Sequence, residues 1–98
     1  MKEIDTIELN PNYKAILQLE EELTKLGIKH ELVRVRDGYM LLYPNYENRV
    51  GDVIEHCHSY GHGEDLMEAY MFPECDGDVI GHLTVEEALT LFKNAAGV

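Results

Sequence analysis

Tryptophan is absent from this 98-residue chain, cysteine occurs twice, and basic residues are scarce: 8 Lys and Arg stand against 19 Asp and Glu, a formal charge of −11. Each shortage excludes something. Two cysteines, Cys57 and Cys75, are too few for a cross-linked secreted scaffold, and a chain of this length can bury enough surface to fold without them. Reduced thiols and a cytoplasmic setting are therefore expected. A negative field of this size repels phosphate backbones and anionic lipid, so neither direct nucleic-acid binding nor membrane binding is expected. No stretch approaches the ~20 apolar residues of a membrane span. The opening MKEIDTIELN is too acidic and polar for a secretory signal. A Gly-rich phosphate loop and a nucleophile elbow are missing, and carboxylates are too plentiful for any pair to carry information. No catalytic residue and no cofactor is expected.

What is present reads as one α+β domain over residues 1–98. Residues 1–10 alternate weakly (Ile4, Ile7, Leu9), as a loose arm or an edge strand would. Ile16, Leu19, Leu23 and Leu26 then recur at helical spacing, with Asn12 in the N-cap place after Pro11 and Gly27 as the stop.

The segment HELVRVRDGYMLLYP predicts a β-hairpin turning on Asp37-Gly38, because a type I′ turn needs positive φ at both central residues. That register pairs Arg36 with Tyr39 and Val35 with Met40. Strand side chains alternate between faces, so Val33, Val35, Met40 and Leu42 are expected in the core. Leu32, Arg34, Arg36, Tyr39, Leu41 and Tyr43 are expected on the outer face.

Further on, RVGDVIEHCH predicts a third strand, EDLMEAYMF a short helical stretch ended by Pro73, and VIGHL a fourth short strand. Thr84 with Glu87 forms a capping box for a closing helix that buries Val85, Ala88, Leu89, Phe92 and Ala95. The expected fold is a three- to four-stranded antiparallel sheet with two longer helices packed on one face.

Residues 56–62 concentrate His56, Cys57, His58 and His62. On an extended chain His56 and His58 share a face. His62 and Cys75, or an acid such as Asp76, could complete a zinc shell, as a binding protein or metal-dependent enzyme would require. The paired ligand spacing of a structural zinc module is missing, however, and Gly61 and Gly63 beside His62 read as a turn. Cys57 and His58 point to opposite faces of a strand, which argues against a nucleophile–base dyad.

ELTKLGIKHELVRVRDGYMLLYP, VIEHCHSYG, DLME and VIGHLTVEEALTLFK together resemble small uncharacterised proteins encoded by phages and prophages of Gram-positive bacteria. The resemblance covers roughly residues 17–93. Its most distinctive pieces are Asp37-Gly38-Tyr39, Ser59-Tyr60-Gly61 and the Gly81-to-Thr84 approach to the last helix. That group has no established activity. The resemblance implies a non-catalytic accessory protein that acts by protein–protein interaction, with an unknown partner or a second copy of itself.

The surface expected to make that contact is the hairpin's outer face, with Arg34, Arg36, Tyr39, Leu41 and Tyr43, since Arg and Tyr are enriched at interface centres. Self-association as a two-fold homodimer would bury the same face. The rival reading from the charge is an acidic mimic of DNA that inhibits a nucleic-acid-binding protein.

Overall fold

A computed structural model describes residues 13–35, 38–56 and 66–98 of the chain. Lys14–Leu26 forms the first helix, α1, and buries Ala15, Ile16, Leu19 and Leu23 along the expected stripe. Leu26 does not complete that stripe and is 46% exposed. Gly27 follows it at φ 70°, a left-handed cap that turns the chain away. The N–H groups of Gly27 and Ile28 donate to the carbonyls of Thr24 and Leu23 at 3.1 and 3.0 Å. His30 fixes the exit from this turn: its Nδ1 lies 2.7 Å from the Ile28 carbonyl and its Nε2 2.9 Å from Glu20 Oε2.

The start of α1 departs from the expectation. Asn12 lies outside the described residues, and the N-cap position is Tyr13, which makes no side-chain cap bond. The Ile16 N–H is met instead by Oε1 of the fully buried Glu55 at 3.0 Å. The acceptor comes from the sheet, 39 residues away in the chain. A carboxylate at this end is also favoured by the helix dipole.

Five strands follow: β1 (Glu31–Val35), β2 (Gly38–Tyr43), β3 (Gly51–Glu55), β4 (Met67–Tyr70) and β5 (Ile80–Leu83). They form one antiparallel meander in the order β1-β2-β3-β4-β5. The sheet thus exceeds the expected three to four strands, and the extra one is β4, which lies where a short helix was predicted. Val53 pairs with Ala69 and Ile54 with Glu68. Met67 and Ala69 are fully buried while Tyr70 is exposed. In so short an apolar run the periods 2 and 3.6 are hard to separate, and the free edge of β3 decides the outcome.

The hairpin is present, but its turn is displaced. Val35 pairs with Gly38 and Arg34 with Tyr39, so the two residues between the strands are 36 and 37, not 37 and 38. Gly38 opens β2 and is not a positive-φ residue. It is glycine for another reason. A Cβ there would fall on the backbone of Glu55, and the Cα of His56 would lie only 2.8 Å away. Gly51 is under a similar constraint, with ring carbons of Phe72 at 2.5–2.6 Å from any added Cβ.

Each β2 residue therefore pairs two positions earlier in β1 than expected, which keeps the predicted division of side chains between faces, yet the faces themselves are reversed. Tyr39 (1% exposed), Leu41 and Val53 lie in the core, joined by Met67, Ala69 and Leu83. Helix α1 lies mainly over β2 and β3. The second helix, α2 (Val85–Ala96), lies over β4 and β5 and against α1. Its capping box is present: Glu87 N–H donates to Thr84 Oγ1 at 3.2 Å and Thr84 N–H to Glu87 Oε1 at 2.9 Å. It buries Ala88, Leu91 and Phe92, with Val85, Leu89 and Ala95 partly covered. Phe92 meets Phe72 and Tyr43 edge-on, with centroids at 5.1 and 6.3 Å.

Candidate functional site

The reversal moves the expected contact residues. Tyr39 and Leu41 are sealed under the helices and cannot meet a partner. Tyr43 is partly buried against Phe92. Arg34 is exposed on the same side of the hairpin, and it tolerates that side because β1 is an edge strand among the described residues, where a long side chain can reach past the rim to water. Arg36 lies outside the described residues. An aromatic–arginine patch on the outer surface is therefore not formed by Arg34, Tyr39, Leu41 and Tyr43.

The surface that faces away from the helices is built by the residues expected in the core. Two cross-strand rows define it. Val33 pairs with Met40, Met40 with Ile54, and Ile54 with Glu68. Glu31 pairs with Leu42, Leu42 with Asp52, and Asp52 with Tyr70. Val35 extends the apolar patch toward the hairpin end.

One end of this face is closed by the loop that follows Pro44. Tyr46 N–H donates to Glu31 Oε1 at 2.9 Å, and Arg49 Nη1 donates to Asp52 Oδ2 at 3.3 Å. Arg49 also stands 5.1 Å from the centre of the Tyr46 ring. The loop is thus tied to both neighbours of Leu42, and Leu42 between them is fully buried. Asp52 is 2% exposed. Its carboxyl is raised above the usual 3.8, first by burial and also by the nearby Glu68, with the Arg49 charge pulling the other way.

The remainder is only partly covered. Val33, Val35, Met40 and Ile54 are half-buried, and among the described residues no helix or strand lies over them. Tyr70 and Tyr46, at 42% and 60% exposed, flank the closed end. Met71 beside Tyr70 is 45% exposed and holds φ 74°, a left-handed conformation that costs a non-glycine residue of order 1–3 kcal/mol.

The histidine cluster contributes little that can be described. His56, just past β3, is 8% exposed, while Cys57, His58 and His62 lie outside the described residues. Cys75 is a free cysteine buried in the core, and burial raises its thiol, which disfavours the thiolate needed for metal binding or attack. Among the described residues no group of three or more His, Cys, Asp or Glu is placed to hold a metal ion, and no helix is long and apolar enough to cross a membrane. An open groove of about 490 Å³ between the helices is lined by Gln18, Glu22, Thr84, Val85, Glu86 and Leu89.

No protein-family model, curated protein or solved structure matches the chain.

Proposed function

We propose that this chain is a non-catalytic accessory protein that acts by holding another protein, and that it does so through the open face of its sheet. The observation that carries the reading is the pair of rows around Met40 and Ile54. Val33, Met40 and Ile54 in these rows are apolar and only partly buried, on a side where the described helices and strands supply no covering layer. A sheet that is apolar on both faces needs two covers, and helices α1 and α2 supply one. The likeness to small phage-encoded proteins supports the same class of role. Its proposed setting is the cytoplasm, where Cys75 remains a thiol.

The hairpin stays at the centre of this reading, but its working side is the one opposite to Tyr39 and Leu41. Apolar side chains left partly uncovered and ringed by polar ones are the kind of patch that marks interaction sites, and the tyrosines at the closed end add contact area of the kind enriched at interface centres. The test is capture from a host lysate by tagged wild type and by the double variant Met40→Ser, Ile54→Ser. Circular dichroism checks that the variant is folded, and Glu21→Ala, on the exposed side of α1, serves as a control. The double variant should stay folded and lose the proteins that wild type and Glu21→Ala retain. An identical captured set from all three, or none from wild type, would refute the reading.

A further inference from the structure

We draw no further inference here: the strongest candidate, the surface patch at the β4–β5 connection where exposed Tyr70, Met71 and Val79 flank a turn carrying Glu74, Asp76 and Asp78, is an apolar patch beside an acidic cluster, and nothing in the structure shows what covers it.

Discussion

Replacing Gly38 by alanine tests the sheet packing most directly. A Cβ at this position overlaps the carbonyl oxygen of Glu55 and crowds the Cα of His56. Those are backbone atoms, so no rotamer change relieves the contact and β3 must move away from β2. The first interactions to suffer are the Tyr39–Glu55 pairing and the bond from Ile16 N–H to Glu55 Oε1. Loss of the acceptor for a buried N–H costs about 1–3 kcal/mol, and one opened ladder bond adds about 0.5–1.5 kcal/mol. Alanine stiffens the unfolded chain and offsets about 0.4–1 kcal/mol of this. The net loss is about 0.5–4 kcal/mol from these terms.

In a domain of this size a central loss of about 2.5 kcal/mol lowers Tm by roughly 10–20 °C. Thermal unfolding by circular dichroism and urea titration both read it. Gly27→Ala is the informative control, because at φ 70° with nothing within 4 Å it pays only the left-handed backbone cost of about 1–2 kcal/mol. A Gly38→Ala protein that melts with wild type, while Gly27→Ala melts lower, would refute the close approach of β2 to β3.

The assignment of faces predicts that Leu41→Ala costs about 2–5 kcal/mol, as a fully buried leucine does, and that its neighbour Met40→Ala costs less than about 1 kcal/mol; equal losses in urea titration would mean the faces are wrong. For Asp52, whose carboxyl is raised above 3.8 chiefly by burial, the native state holds the proton more tightly than the unfolded chain does. Ionisation therefore costs stability above the raised value, and the cost disappears as pH falls toward 3.8. Asp52→Asn keeps an acceptor for Arg49, so the gap in its favour at neutral pH should shrink on acidification; chemical denaturation across pH that shows a widening gap would contradict this. Thr84→Ala should cost about 1 kcal/mol by loss of the N-cap bond, with Thr84→Ser close to wild type in the same melts.

Local chemistry alone determined several parts of this protein. The spacing of Ile16, Leu19 and Leu23, the left-handed stop at Gly27 and the Thr84–Glu87 capping box act within one or two helical turns, and each stands in the structure as read from the residues. The existence of a hairpin between Glu31 and Tyr43 was legible for the same reason, as was the division of its side chains into two sets, because alternation along a strand survives a two-residue change of register.

Tertiary structure alone decided which set faces inward. Both sets carry several large apolar side chains, and only one carries arginine. Arg34 suggested the wrong side because a reader of sequence cannot see that its strand is an edge. The strand character of Met67–Tyr70 depended on an unpaired β3, the capping of α1 on a carboxylate 39 residues away, and the glycine at position 38 on the backbone of a neighbouring strand. The candidate site shares that origin. Met40 and Ile54 became a surface only when both helices packed on the opposite face, a choice made by the summed burial of many side chains and by no single motif.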